Sequence, residues 1–141
     1  MGRLGVMVRA VLAVLLLAAP VAAQEPAALP WQTVITAQIE AFRAKDAPGA
    51  FQYAAAPFQT AFPSAEAFFV SIIGSGYGPI MESSGHSFGV FHEIDATSVA
   101  QQVTLTGKDL SRYEAIYVMT EEERGWRVSG VQLAKTPGMG V

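Results

Sequence analysis

The second half of the chain consists of four strand-like segments that follow one another with very short spacers. The segments are rich in β-branched and aromatic residues. They cover residues 86–94, 98–106, 113–121 and 126–133. Spacers this short join antiparallel neighbours, because a parallel pair needs a crossover of a dozen or more residues. The pattern therefore predicts an antiparallel sheet in which each strand pairs with the next.

Helical periodicity marks the residues that precede the strands. Apolar residues recur at helical spacing from Trp31 to Phe42 and predict a first helix, which should stop near Lys45. Asp46 and Pro48 are typical of the N-cap and first turn of a second, shorter helix.

Proline, serine and glycine predict the remaining boundaries. We expect Pro57 to end the second helix and residues 58–62 to form a brief extended segment. Ser64 should cap a third helix with an apolar face. Residues 74–85 are rich in Gly, Ser and Pro and carry Tyr77, and we expect them to form a loop.

Helices followed by an antiparallel sheet predict the α+β class, with the helices packed on one face of a curved sheet. In the strand 113–121, alternate residues are apolar on both faces. A strand that is apolar on both faces is normally covered on both, and no further helix is predicted to cover the second face. We therefore expect a homodimer that forms through the open face of the sheet.

The first 23 residues have the features of a cleavable signal peptide. Arg3 and Arg9 make the N-terminal region positively charged, and residues 10–19 form an apolar segment. A cleavage site of small residues follows and ends at Ala23. The apolar run is shorter than the roughly 20 residues that span a bilayer, so we expect cleavage after Ala23 rather than a stable membrane anchor. The chain has no Cys, which excludes a lipoprotein anchor and disulfide bonds. A periplasmic or secreted protein is expected.

The mature chain is expected to form one domain. We assign residues 24–29 to a mobile N-terminal stretch, residues 30–134 to a single α+β domain and residues 135–141 to a flexible tail. Loss of Arg3 and Arg9 with the signal peptide changes the net charge from −3 to −5. This acidity argues against nucleic acid as a partner.

The order of these features resembles a known family. The residues that carry the resemblance run from Trp31 to Leu133 and include Gln38, Tyr77, Phe88 and the Gly125–Gly130 hairpin. They resemble small exported proteobacterial proteins grouped as domain of unknown function 4864. The element order is also similar to the cone-shaped superfamily of nuclear transport factor two and ketosteroid isomerase. The resemblance implies the fold and export but no reaction, because unrelated functions share this fold.

Two motifs suggest catalysis or metal binding, and neither has the required context. Residues 85–89 match the G-x-S-x-G nucleophile elbow, but Ser87 is followed by a strand rather than a helix. His86 and His92 lie about 20 Å apart along one strand, and Glu93 and Asp95 point to the opposite face from His92. We predict no catalytic serine, no metal site and no cofactor.

A few polar or amphipathic residues on apolar faces are candidates for ligand binding. Gln38 lies on the stripe of the first helix, Gln101 is in phase with apolar strand residues, and Tyr77 should close the open end of the cone. Trp126 should pack on the covered face of the sheet, and Trp31 should pack against the same layer. The predicted ligand-binding residues are therefore Gln38, Tyr77, Gln101 and Trp126. For the two amides, hydrogen bonds to neighbouring backbone are the favoured alternative.

Two functions remain open from the sequence. The favoured one is a non-enzymatic binding or interaction module whose partner is a small apolar ligand or another envelope protein. The alternative is an acid/base enzyme of the isomerase or dehydratase kind with its site inside the cone. His86, His92 and Glu114 are the candidate bases for that alternative.

Overall fold

Helices precede strands in residues 27–136, the part of the chain that the computed structural model describes. The helices are α1 (Pro30–Arg43), α2 (Ala47–Gln52), α3 (Ala56–Ala61), α4 (Ala65–Ile72) and α5 (Gly78–Glu82). The strands are β1 (Ser83–Asp95), β2 (Ser98–Gly107), β3 (Arg112–Glu122) and β4 (Gly125–Lys135). A π-helical turn, Ile73–Tyr77, joins α4 to α5. The α+β class is confirmed.

Side-chain caps define the starts of two helices at the positions predicted from the sequence. The Asp46 carboxylate accepts a hydrogen bond from the backbone N–H of Gly49 at 3.0 Å and caps α2. The Ser64 hydroxyl accepts one from the N–H of Ala67 at 3.1 Å and caps α4. Each cap satisfies a backbone donor that the first turn of a helix leaves without an intrahelical partner.

Two segments are more helical than predicted. Residues 58–62 were expected to be extended, but most of them belong to α3, and Pro57 lies in the first turn of that helix instead of ending α2. A proline is well tolerated there because the first-turn N–H groups have no intrahelical acceptor. The predicted loop 74–85 is also wrong in part, since it contains the π-helical turn, α5 and the start of β1.

The sheet is a meander with the strand order β1-β2-β3-β4, and all its pairs are antiparallel. Gln101 of β2 pairs with Tyr117 of β3, which in turn pairs with Val131 of β4. β4 extends to Lys135, and the N–H of Thr136 donates to the carbonyl oxygen of Arg112 at 2.9 Å. The ordered domain therefore continues beyond residue 134, into the predicted flexible tail.

The helices cover one face of the sheet and form the core with it. On β3, Ala115, Tyr117 and Met119 are fully buried, whereas Ile116 is 37% exposed on the opposite face. The buried side chains of α1, including Ile35, pack against the covered face. This layering confirms the prediction that helices pack on one face of an antiparallel sheet.

The predicted signal peptide, residues 1–23, lies outside the described residues, as do residues 24–26 and 137–141. None of the helices within residues 27–136 has the length and apolar character needed to span a membrane.

Candidate functional site

A cavity of about 260 Å³ lies between the helices and the edge strand β4. Four aromatic side chains, those of Phe42, Phe58, Phe68 and Tyr77, form much of its wall. The lining comes from several helices, the π-helical turn and β4, so that only the folded chain assembles the cavity. An apolar concave site of this kind is the usual form of a small-molecule pocket.

Two backbone–backbone hydrogen bonds and one from a side chain tie the edge of β4 to the helical layer. The N–H of Ala55 donates to the carbonyl oxygen of Val128 at 2.9 Å, and the N–H of Val128 donates to that of Tyr53 at 2.8 Å. Farther along, the Tyr77 hydroxyl donates to the carbonyl oxygen of Val131 at 2.8 Å. The sheet side of the cavity is formed by Val128, Gly130 and Val131 of β4.

Phe68 of α4 is the centre of an aromatic cluster that forms part of the cavity wall. The centroid of its ring lies 6.2 Å from that of Phe42 and 5.9 Å from that of Phe58. The rings of Phe51 and Phe62 also lie within 5.6 Å of Phe68. Phe58 and Phe68 were not among the predicted ligand-binding residues, and Phe58 was expected to lie in an extended segment at residues 58–62. The signal available in the sequence was Pro57, because a proline is common in the first turn of a helix.

Gln38 of α1 is the main polar group on the cavity wall. Its side chain is 4% exposed, and its Nε2 donates to the backbone carbonyl oxygen of Ala50 at 3.1 Å. This bond fixes the orientation of the amide, since a flipped amide would place Oε1 against another carbonyl oxygen. Within residues 27–136, Oε1 of Gln38 accepts no hydrogen bond. The structure thus places a free acceptor at a predicted site residue.

Tyr77 and Ser75 lie on the π-helical turn beside the cavity. The Tyr77 hydroxyl holds the turn to β4, and the Ser75 hydroxyl donates to the carbonyl oxygen of Ser71 at 2.7 Å. Ser75 is exposed and lies at the rim. Gly76 has φ +100°, a conformation that disfavours other residues, so a glycine is required for the chain to turn here. Tyr77 therefore lines the cavity, as the predicted site requires.

Gln101, the second amide, is separate from this cavity. It is fully buried, and its Oε1 accepts from Nε1 of Trp31 at 2.8 Å and from Nε2 of Gln32 at 3.2 Å. Its Nε2 donates to the carbonyl oxygens of Gly89 and Gln102 at 3.0 and 2.9 Å. Every polar atom of the amide is thus satisfied by the protein. The prediction of Gln101 as a ligand-binding residue is not supported by this position.

Trp126 also lies away from the cavity. Its ring packs edge-on against that of Trp31, with centroids 5.3 Å apart, and Trp31 packs in the same way against Phe91 at 5.0 Å. The two tryptophans therefore pack in the same layer, as predicted, and also contact each other. They lie near Gln101 and not at the cavity near Tyr77. Of the four predicted ligand-binding residues, the structure brings together only Gln38 and Tyr77.

His86 has both ring nitrogens engaged between α1 and β1. Nη2 of Arg43 donates to its Nδ1 at 3.2 Å, so that Nε2 carries the proton and donates to the Thr36 hydroxyl at 3.0 Å. Burial, with the charge of Arg43 acting in the same direction, lowers the pKa of His86, and the charge of Glu40 opposes this. His86 is held neutral, with no ring nitrogen facing the cavity.

The other two candidate bases lie on the open face of the sheet. Glu114 accepts hydrogen bonds from the hydroxyl of Thr104 at 3.0 and 3.1 Å. His92 is exposed and pairs with Ala100. A register shift between Phe88 and Phe91 reverses the alternation of β1. His86 and His92 therefore lie on opposite faces of the sheet, although residues six apart in a regular strand would share one face.

Tyr117 buries a hydroxyl without a partner. Its side chain is fully buried on β3, and its Oη has no hydrogen-bond partner among the described residues. Burial raises the pKa of the phenol well above its ordinary range, and the charge of Arg43 offsets only part of this rise. The sequence predicted Tyr117 only as an apolar residue of the strand.

The remaining motifs of the sequence have ordinary structural positions. Ser87 is exposed within β1 and is followed by more strand, which is not the strand-turn-helix context of a nucleophile elbow. No three His, Asp or Glu side chains within residues 27–136 lie close enough to hold one metal ion.

Several solved structures have a similar fold. The chain is similar to an NTF2-like protein of unknown function from Shewanella baltica OS155, with 11% identity over 77% of this chain and 93% of that one and a TM-score of 0.51. A second NTF2-like protein of unknown function, from Silicibacter pomeroyi DSS-3, has 9% identity over 76% and 93% of the two chains and a TM-score of 0.51. A ketosteroid isomerase-like protein from Erwinia carotovora atroseptica SCRI1043 has 14% identity, coverages of 77% and 95%, and a TM-score of 0.49.

Identities this low show a shared fold alone. No protein with a curated description matches the chain. A family model described as "Domain of unknown function (DUF4864)" matches residues 24–141. Both resemblances noted in the sequence are therefore confirmed: the chain belongs to the DUF4864 family and has an NTF2-like fold.

Proposed function

We propose that this chain is an exported, non-enzymatic module that binds a small apolar ligand in the cavity between the helices and β4. The observation that carries the proposal is the chemistry of the wall. Aromatic and aliphatic side chains form most of it, and among the lining residues that the described part of the chain, 27–136, contributes there is no Asp, Glu, His, Lys or Arg. Such a wall stabilises an apolar molecule and lacks a strong acid or base.

The positions of the candidate bases count against the enzymatic alternative. His86 has both ring nitrogens in hydrogen bonds, and Glu114 and His92 lie on the open face of the sheet. A general base must be within hydrogen-bond reach of the proton that it removes from the substrate. None of the three has this reach into the cavity, so binding is the function that the geometry supports best.

A fragment screen tests the binding proposal. Small apolar compounds are added to purified protein, and the midpoint of thermal unfolding is measured for wild type, Ser75→Trp and Ser84→Trp. Ser75→Trp places a large ring at the cavity rim. Ser84→Trp is the matched control, since both serines are exposed and donate to a backbone carbonyl, Ser84 from outside the cavity.

Compounds that stabilise wild type and Ser84→Trp, but not Ser75→Trp, would support a ligand site in the cavity. If no compound stabilises wild type, or if hits stabilise all three proteins equally, the cavity is not the binding site and the proposal fails.

Export is part of this proposal and has its own test. The support is the basic, apolar and small-residue order of residues 1–23. Intact-mass measurement on protein from the native envelope should give a chain that starts at Gln24. Full-length protein in the cytoplasm would contradict export.

We also propose that two copies associate through the open face of the sheet. Ile116 is 37% exposed at the middle of that face, and Val118 lies beside it on the same strand. An interface of ordinary size would cover about 800 Å² of each copy. Ile116→Asp should give a folded monomer in analytical ultracentrifugation, because it places a charge in the interface.

The matched control for the dimer is Leu110→Asp. Leu110 is 80% exposed in the turn between β2 and β3, outside the open face, so the same new charge should leave the dimer intact. A wild-type protein that sediments as a monomer at micromolar concentration would refute the dimer without affecting the ligand proposal.

A further inference from the structure

The hydroxyl groups of the cavity have already donated their hydrogens to the protein. A hydroxyl has one hydrogen and two acceptor lone pairs. The Tyr77 hydroxyl donates to the carbonyl oxygen of Val131, and the Ser75 hydroxyl donates to that of Ser71. Each oxygen therefore offers a ligand lone pairs but no hydrogen.

The buried amide on the wall adds a stronger acceptor. Gln38 is 4% exposed, and its Nε2 is directed to the carbonyl oxygen of Ala50. Its Oε1 has no hydrogen-bond partner within residues 27–136. The unpartnered side-chain atoms that are sealed from solvent in this part of the chain are Tyr117 Oη, Arg127 Nε and Thr136 Oγ1, and Oε1 of Gln38 is not one of them. Oε1 is thus not sealed from solvent, and the residue that carries it lines the cavity.

The polar balance of the cavity favours a ligand that donates a hydrogen bond. Three oxygen atoms can accept, while the second hydrogen on Nε2 of Gln38 is the one side-chain hydrogen of these groups left to donate. A buried acceptor without a donor is costly, and Oε1 belongs to the buried Gln38, so a donor on the ligand recovers free energy that an acceptor would not.

Charge and size limit the ligand further. Since residues 27–136 place no charged side chain in the lining, an ionised ligand would lose its hydration without gaining a counter-ion from them. An apolar cavity of about 150 Å³ is known to hold benzene. The 260 Å³ of this cavity therefore accommodates more than one ring, and its aromatic walls favour a flat aromatic molecule.

We propose that the cavity binds a small, neutral, one- or two-ring aromatic molecule that carries an N–H or O–H donor, and that this donor bonds to Oε1 of Gln38. The inference rests on the proposed binding function and specifies the chemical class of the ligand.

The test compares three probes of nearly the same size and shape. Indole carries an N–H donor, 1-methylindole has that donor blocked, and benzofuran has an acceptor oxygen in its place. Their dissociation constants are measured on wild-type protein by isothermal titration calorimetry. Indole should bind about tenfold more tightly than either of the other two, the ratio expected for one net hydrogen bond.

A pair of variants locates the acceptor. Gln38→Met removes it while keeping the side-chain length and should reduce the affinity for indole about tenfold, leaving that for benzofuran within about twofold. Gln59→Met is the matched control, because Gln59 also donates to backbone carbonyls, those of Phe51 and Ala54, and does not line the cavity. It should leave all three affinities unchanged.

The outcomes separate the two proposals. Equal affinities for the three probes, abolished together by Ser75→Trp, would overturn the donor inference and leave the binding proposal standing. Probes that bind equally well to Ser75→Trp, or that do not bind wild type at all, would count against the binding proposal itself. If Gln38→Met does not fold, the probe series on wild type still decides whether a donor is selected, and the side-chain amide resonances of Gln38 in NMR spectra show whether indole contacts it.

Discussion

Removing the buried hydroxyl of Tyr117 should make the protein more stable. Its Oη is sealed inside the core and has no hydrogen-bond partner among the described residues. Tyr117→Phe deletes this one polar atom and keeps the ring that packs between the helices and the sheet. Most core substitutions destabilise a protein, so an increase in stability would be a specific result.

The size of the effect follows from the cost of burying an unpaired hydroxyl, about 1–3 kcal/mol in proteins. The small cavity left by the missing oxygen offsets part of this, and we expect a net gain of about 1 kcal/mol in the free energy of unfolding. Tyr77→Phe is the matched control, since its hydroxyl is bonded to Val131 at 2.8 Å. It should lower the free energy of unfolding by about 1 kcal/mol.

Urea unfolding followed by tryptophan fluorescence measures both variants. The two unfolding midpoints should move in opposite directions from that of wild type at constant m-value, which reports stability rather than a change of compactness. If Tyr117→Phe lowers the free energy of unfolding by as much as Tyr77→Phe does, the Tyr117 hydroxyl is bonded in solution and the reasoning fails.

Three further predictions concern Gln101, His86 and Trp126. Gln101→Leu should lower the free energy of unfolding by about 2 kcal/mol, because it leaves the buried Nε1 of Trp31 without its acceptor; urea unfolding that shows unchanged or higher stability would refute this. His86 has a pKa below its ordinary 6.5, so the unfolded chain binds more protons there and stability should fall as the pH drops below about 6.5; thermal unfolding of His86→Gln should show a weaker fall, and equal pH profiles would contradict it. Trp126→Ala should cost about 3 kcal/mol through the cavity it leaves beside Trp31, with ligand binding in the cavity retained; urea unfolding and calorimetry check the two parts, and loss of binding in a folded variant would overturn the second.

Local sequence determined which elements form, because helix caps, helical periodicity and strand propensity act over a few residues. Asp46 and Ser64 cap helices through bonds to N–H groups three residues ahead. The short spacers between strands left antiparallel pairing of neighbours as the only practical arrangement. The α+β class and the layer of helices on the sheet could therefore be predicted from the sequence.

Local signals failed where one residue type fits two conformations. Pro57 can end one helix or begin the next, and the structure uses it at the start of α3, which brings Phe58 to the cavity. The register shift after Phe88 reverses the faces of β1, so His92 lies on the face opposite His86. Such a shift depends on how β1 pairs with its partner strand, and the spacing of residues within β1 alone does not show where the shift occurs.

The candidate site could be predicted from the sequence less completely than the fold. From the sequence, Gln38 and Gln101 are equivalent, since each is an amide on an apolar face. In the fold, Gln101 meets the indole N–H of Trp31, 70 residues away, whereas the Oε1 of Gln38 meets no donor within residues 27–136. Whether a buried polar group holds the core together or is free for a ligand is decided by partners distant in sequence, and only the folded chain brings those partners within bonding distance.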